Sequence, residues 1–288
     1  MLEIQLVLEF DIKGLFDNVD HSMLMKAVKK HTQGKWILLY IERWLKGPMQ
    51  YNDGNFIERT KGTAQGSVIS PVLSNLFLHY VFDSWMQRNH RDTPWCRYAD
   101  DGLAHCKTEG EAQQLLTALQ ERFGACKLEL HPEKTKIIYC KDGMRNGNYV
   151  NTRFDFLGFT FERRTVQAMK KRELFLGFTP AVSKKSANAM RSKTRNQGFS
   201  KRVDLELGDI AQMYNPVLRG WINYYGRYTP SKLRSVLVHF NATLKQWVRR
   251  KYQKLASRTK AGEFLTKMYK KNPNLFAHWQ TGMINAFA

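Results

Sequence analysis

Cysteine is scarce in this chain: Cys96, Cys106, Cys126 and Cys140 in 288 residues, with no C-x-x-C pair among them. That pattern excludes a disulfide framework and argues for reduced thiols in a cytoplasmic protein. Long apolar runs are missing too. None approaches the ~18 residues that a membrane-spanning helix needs, and the N-terminus shows neither the basic region nor the cleavage site of a secretory leader. No internal repeat or low-complexity tract is present. The most telling shortage is of acidic side chains in the second half. Residues 161–288 hold 6 Asp+Glu against 26 Lys+Arg, whereas residues 1–160 hold 19 against 20. The formal net charge of +21 therefore sits almost entirely on one half. A polycation of this kind calls for a polyanionic partner, and the asymmetry suggests a catalytic half joined to a half that grips nucleic acid.

What is present is a chain of 43% hydrophobic residues, sufficient for a packed core. Residues 4–12 read as a buried strand. Apolar spacing predicts helices over 22–30 and 34–45, and a turn-rich hairpin over 46–61. An apolar helix runs from Pro71 to about Met86, with proline in its first turn, where it is tolerated. Strands follow at 95–98 and 103–107, then a helix over 109–123. Short strands at 128–130 and 137–140 and an apolar strand at 154–159 complete the first half. Beyond residue 163 strands fade, apart from 174–178. Helices are expected at 183–195, 205–214, 216–225, 231–255 and 261–269, with Lys170–Arg172 marking the junction. The fold class is α+β: residues 1–165 form an antiparallel sheet with helices on one face, and residues 166–288 form a basic all-α domain.

Two adjacent carboxylates, Asp100 and Asp101, fall at the tight connection between the strands at 95–98 and 103–107. A third, Asp11, ends the apolar run Leu6-Val7-Leu8-Glu9-Phe10. Charge at strand ends between apolar flanks is costly unless opposite charge compensates it. Converging carboxylates suit Mg²⁺, a hard cation that takes oxygen ligands and keeps substrate phosphates in its shell. Two such ions about 3.5–4 Å apart stabilise the attacking and leaving oxygens of phosphoryl transfer. The plain alternative is a surface turn at Asp100-Asp101 and a helix cap at Asp11. In the basic half, Arg219, Trp221, Tyr224, Tyr225 and Arg227 interleave charge with aromatic rings. Lys245, Trp247, Arg249, Arg250, Lys251 and Tyr252 do so again on one long helix. Such sets neutralise phosphates and stack on bases. The aromatics serve equally well as core, Trp221 and Trp247 above all.

Six blocks, in order, resemble the reverse transcriptases and maturases of bacterial group II introns, most closely the compact kind without an endonuclease domain. They are Phe10-Asp11-Ile12-Lys13-Gly14-Leu15-Phe16-Asp17-Asn18-Val19-Asp20-His21, Gly62-Thr63-Ala64-Gln65-Gly66-Ser67-Val68-Ile69-Ser70-Pro71, Tyr98-Ala99-Asp100-Asp101, Leu130-His131-Pro132-Glu133-Lys134-Thr135-Lys136, Phe156-Leu157-Gly158-Phe159, and the segment from Asn215 to Gly226. The resemblance implies a polymerase palm followed by a thumb or maturase domain. It implies RNA-directed DNA polymerisation with two Mg²⁺ ions, and binding and splicing help for a group II intron RNA. The implied substrates are an RNA template with a DNA primer and deoxynucleoside triphosphates.

By the same resemblance, Asp11, Asp100 and Asp101 are the catalytic metal ligands, with the Ile12 carbonyl as a further one. Phe16 is a steric gate against a ribose 2′-hydroxyl, or else a core phenylalanine. Gln65 touches the incoming nucleotide, or belongs to a plain turn. Lys134 or Lys136 protonates or neutralises pyrophosphate, and Leu157-Gly158 belongs to the hairpin that positions the primer end. Asp17, Asn18 and Asp20 cap or brace the next helix. Three departures stand out. Ala64 and Ser67 occupy positions where the family commonly has Pro and Gly. The C-terminus lacks the paired Cys and His ligands of a zinc-dependent nuclease. Asp11 lies close to the N-terminus, where the family carries a fingers module that grips the triphosphate. The chain is then a remnant, an engineered fragment or one piece of a split enzyme whose fingers come in trans, and poor or no polymerisation by the isolated chain is the expectation. The alternative is a catalytically impaired, RNA-binding maturase.

Overall fold

The computed structural model describes residues 5–50, 54, 56–145, 147–167 and 173–282. They fall into two compact units, Met1–Thr152 and Arg153–Ala288. Residue 165, the end of the first domain as read from sequence, lies inside a strand, Phe159–Gln167. Lys170–Arg172, expected to mark the junction, lie outside the described residues.

The first unit is built on β1 (Leu6–Asp11), a strand buried along its length except for the half-buried Glu9. Its neighbours are β5 (Asp101–Cys106) on one side and β6 (Lys136–Tyr139) on the other, and β4 (Trp95–Tyr98) closes the far edge beside β5. Every pairing is antiparallel. Strand alternation sends Leu6, Leu8 and Phe10 into the same cluster as Leu24, Val28, Leu73, Phe77, Leu115, Leu119 and Phe123. These come from α2 (His21–Lys29), α4 (Ser70–Leu78) and α6 (Glu109–Ala125), so one sheet face is covered by helices. Short α1 (Leu15–Asn18) precedes α2, and α3 (Lys35–Lys46) adds Ile41 and Leu45 to the core. Start signals are local: Asp20 accepts from the Met23 N–H at the head of α2, and Thr108 accepts from the Glu111 N–H at the head of α6. The hairpin expected over 46–61 is present as β2 (Met49–Gln50) and β3 (Phe56–Ile57).

Two expectations for this unit need correction. The strand at 128–130 reduces to an isolated bridge between Leu130 and Ile12. The helix from Pro71 is not uniform either: α4 passes through a π turn, His79–Asp83, before α5 (Ser84–Asn89).

In the second unit, β7 (Arg153–Phe156), β8 (Phe159–Gln167) and β9 (Leu174–Val182) form an antiparallel sheet in that order. The apolar run 154–159 is thus a hairpin and not one strand. Its turn is Leu157 at φ +48° and Gly158 at φ +81°, the two left-handed residues that a two-residue hairpin loop favours. Strands also persist beyond residue 163. Glu162, Arg163 and Arg164 in β8 mask the apolar alternation that would have announced it. Four helices follow: α7 (Lys184–Asn196), α8 (Leu207–Tyr225), α9 (Pro230–Lys251) and α10 (Arg258–Lys271). Two helices expected on either side of residue 215 are one, α8, with Pro216 in its interior. An interior proline costs ~3 kcal/mol. Burial of Ile210, Tyr214 and Leu218 along one face contributes ~1.5–3 kcal/mol per large side chain, so the helix continues. The Asn215 side chain steadies the same point, donating to the Leu275 carbonyl at 2.9 Å and accepting from the Ala277 N–H at 2.8 Å.

Candidate active site

Antiparallel register brings the first and third aspartates together: Asp11, the last residue of β1, is the cross-strand partner of Asp101, the first residue of β5. Asp11 is buried, Asp101 exposed and Asp100 half-buried. The connection from β4 is a two-residue turn, Ala99-Asp100, because Tyr98 pairs directly with Asp101. Ala99 has φ +54°, a left-handed conformation that costs a residue with a Cβ roughly 1–2 kcal/mol. The residue after Asp101 must be glycine. A Cβ on Gly102 would lie 2.0 Å from Cζ of Phe10, its cross-strand partner.

The electrostatics follow from this crowding. Partial desolvation of the carboxyl, then the like charges of Asp100 and Asp11, push Asp101 above its ordinary pKa, against the nearby Lys134. The Lys134 ammonium donates to Asp11 Oδ2 at 2.6 Å, and the Asp11 carboxylate raises the pKa of that lysine. Lys134 reaches the corner from the loop ahead of β6, a loop tied down by the His131 N–H bonded to the Asp11 carbonyl at 2.8 Å. Lys136 instead opens β6, opposite Glu9. Ile12 is fully buried and its backbone bridges Leu130.

Phe16 lies half-buried on α1, five residues past Asp11, and Gln65 is exposed on the loop before α4. Backbone and side chain tie that loop to α1. The Thr63 N–H donates to the Phe16 carbonyl at 2.6 Å, and Gln65 Nε2 donates to both Asp17 carboxylate oxygens at 2.9 and 3.1 Å. Asp17 therefore braces the loop. Asp20 caps α2 and is paired with Lys127 at 2.6 Å, which holds its carboxyl below the usual carboxylate range. Asn18 donates to the Lys13 and Gly14 carbonyls.

The remaining sequence-predicted residues lie in the second unit. The Tyr224 hydroxyl donates to the Leu157 carbonyl at 2.9 Å, and Tyr224 and Tyr225 both pack on Phe159 with ring centroids 5.2 Å apart. These tyrosines therefore support the β7–β8 turn directly. Trp247 is core, with its indole N–H on the Arg202 carbonyl. Arg219 and Arg227 are exposed. Arg250 donates to Ser200, and Arg249 to the Ala256 carbonyl. Arg249 also lines a cleft of about 980 Å³ between α9 and α10 with Lys245, Arg258, Lys267 and Lys270. Sequence reading passed over Arg97, whose side chain is 8% exposed and which forms a bidentate pair with Asp83. The only signal available was an arginine beside the Tyr-Ala-Asp-Asp block.

With this geometry in place, comparison with known proteins is direct. Residues 2–161 match the family model "Reverse transcriptase (RNA-dependent DNA polymerase)", and residues 187–264 match "Group II intron, maturase-specific domain". The chain belongs to the reverse transcriptase family, and its second half carries the match to the group II intron maturase-specific domain. Relatives include Protein YkfC of Escherichia coli, 28% identical over 169 residues that cover 48% of this chain and 44% of that protein. Another is the group II intron-encoded protein LtrA of Lactococcus lactis, 22% identical over 305 residues, covering 76% of this chain and 48% of that protein. The chain thus spans less than half the length of these two relatives. Among solved structures, apo telomerase from Candida tropicalis aligns with a TM-score of 0.49 at 11% identity, covering 96% of this chain and 47% of that one.

Members of this family generally use divalent metal ions. Among the described residues, no three His, Cys, Asp or Glu side chains are gathered into a ready-made metal cluster. The donor chemistry nevertheless fits hard cations. Two carboxylates face each other across a strand pair, a third is next in sequence, their mutual repulsion is only partly compensated at Asp101, and a cation, Lys134, already sits on Asp11. Among the described residues, no helix is long and apolar enough to cross a membrane.

Proposed function

We propose that this chain is an RNA-directed DNA polymerase of group II intron type that also binds its intron RNA. The observation that carries the assignment is the β1–β5 register, which sets Asp11 opposite Asp101 with Asp100 alongside. Asp11, Asp100 and Asp101, with the Ile12 carbonyl, would hold two Mg²⁺ ions. When bound, these supply activation of the primer 3′-hydroxyl and charge stabilisation on the leaving pyrophosphate. The side chains do the rest. Phe16, on the helix after Asp11, would select against a ribose 2′-hydroxyl. Gln65, oriented by Asp17, contacts the incoming deoxynucleotide. Lys134 is placed to neutralise or protonate the pyrophosphate. The Leu157-Gly158 turn, held by Tyr224, supports the primer end. Arg219, Arg227, Arg249 and Arg250 bind phosphates of the template–primer and of the intron RNA.

The test is extension of a DNA primer on an RNA template in Mg²⁺ with deoxynucleoside triphosphates, by the chain and by its Asp100→Ala/Asp101→Ala variant. Incorporation by the unaltered chain should fall at least 100-fold in the variant, while RNA affinity changes less than twofold. Extension that survives the substitutions overturns the assignment of the aspartates, and none from the unaltered chain leaves the RNA-binding reading that follows. A second reading, an RNA-binding maturase without chemistry, draws on the excess of 26 basic over 6 acidic residues in 161–288. It predicts that splicing assistance survives both substitutions undiminished.

A further inference from the structure

Asp100 and Asp101 are presented by a turn that is not self-supporting. Ala99 is left-handed at φ +54°, and no glycine is there to make that conformation easy. One side chain bears on it. Arg97 Nη1 donates to the Ala99 carbonyl at 2.9 Å and to Asn75 Oδ1 at 2.9 Å. The other edge of the same guanidinium grips Asp83, Nε to Oδ1 at 2.7 Å and Nη2 to Oδ2 at 2.8 Å. Both anchors lie on the helical run beneath the hairpin, Asn75 on α4 and Asp83 at the end of the π turn. The Asn75 amide is oriented for the task, because its Nδ2 is committed to the Pro71 carbonyl at 2.9 Å.

The π turn explains how two residues eight apart reach one guanidinium. In an uninterrupted α-helix, Asp83 would stand about 80° around the axis from Asn75. A π turn is bonded i to i+5, takes up an extra residue and rotates the chain less per residue. The rotation lost across His79–Asp83 swings Asp83 back onto the face of Asn75. The bulge thus builds a two-point socket for Arg97, and lysine, with no planar fork, does not fill such a socket.

We propose that Arg97, seated on Asn75 and Asp83 through the π turn, is a positioning residue that holds the Ala99 turn and thereby aims Asp100 and Asp101. The metal-binding part of this inference rests on the proposed function, and the turn-holding part does not. Three measurements on the full chain test it. Hydrogen exchange of the backbone amides in residues 95–103 should accelerate at least fivefold in Arg97→Lys. In Asn75→Ala, an exposed position whose loss the fold tolerates, it should accelerate less. Amides of the second unit should not change. Glycine adopts the left-handed turn without a brace, so Arg97→Lys/Ala99→Gly should recover most of the protection lost in Arg97→Lys. A merely structural arginine gives no such rescue. Mn²⁺ affinity, read by electron paramagnetic resonance, should fall about fivefold in Arg97→Lys and return in the double variant.

Unchanged exchange in both Arg97→Lys and Asn75→Ala overturns the proposal, as does a double variant as labile as Arg97→Lys. Failure of the metal assignment looks different. The unaltered chain would then bind Mn²⁺ no better than Asp101→Asn, and the exchange data alone would judge the brace.

Discussion

Gly102 has no side chain because Phe10 needs the space. The Phe10 ring is almost fully buried between Phe82 and Phe123, with ring centroids 5.0 and 6.0 Å away, so it has nowhere to retreat from a new methyl group. Gly102→Ala should cost at least the ~1–3 kcal/mol of an overpacked core, read as a lower denaturant midpoint, with loss of the Asp11–Asp101 register. Asp101 makes a prediction of opposite sign. Its carboxyl pKa is raised by folding, so its contribution to stability is full below the ordinary carboxylate range and is lost as pH rises through the folded value. In Mg²⁺-free buffer, Asp101→Asn should therefore raise the melting temperature at pH 7 and leave it unchanged near pH 3. The meeting of Asp11 with Asp101 was legible in the sequence because both stand at the ends of apolar strands. Arg97 was not, since its partner Asp83 lies fourteen residues upstream and is aligned by a helix irregularity that has no sequence signature.

Among elements, the β7–β8 hairpin and α8 show where local patterning misleads. A turn of Leu157-Gly158 inside an apolar run reads as continuous strand. It forms because Gly158 takes φ +81° and because Tyr225 and Ser186 press so close that a Cβ there would lie within 2.7–2.9 Å of their oxygens. Tyr224→Phe should remove the bond to the Leu157 carbonyl and cost ~0.5–1.5 kcal/mol. The check is urea denaturation, with exchange at Leu157–Phe159 rising in step. In α8 the proline rule failed because tertiary burial outweighed a local penalty. Strands β1, β4, β5 and β6 and helices α2, α3 and α6 were readable nearly to their ends, since their apolar spacing and caps agree.

At the scale of the molecule, charge was the clearest message and the division of labour its corollary. RNA affinity should fall steeply with salt, on the order of 10³-fold between 50 and 200 mM if six or more phosphates are engaged. Filter binding across that range measures the slope. Buried histidine supplies a pH dependence that composition does not reveal. His278 is fully enclosed, with its Nε2 2.7 Å from Asn241 Oδ1, and burial lowers its pKa to about 3. The unfolded chain binds this proton near pH 6.5 and the folded chain does not. Stability is therefore complete above about pH 6.5 and declines as pH falls towards 3, by up to ~1.4 kcal/mol per pH unit. His278→Gln should flatten that slope by one proton between pH 4 and 6 in urea titrations.

The lysine seated on Asp11 has a last consequence. The acidic corner carries its own built-in counter-ion, so stripping divalent ions from the solution does not leave Asp11 bare. EDTA should abolish catalysis without melting the first unit, unlike a fold that is stapled by its metal. Lys134→Met should make the thermal transition depend more steeply on magnesium than in the unaltered chain.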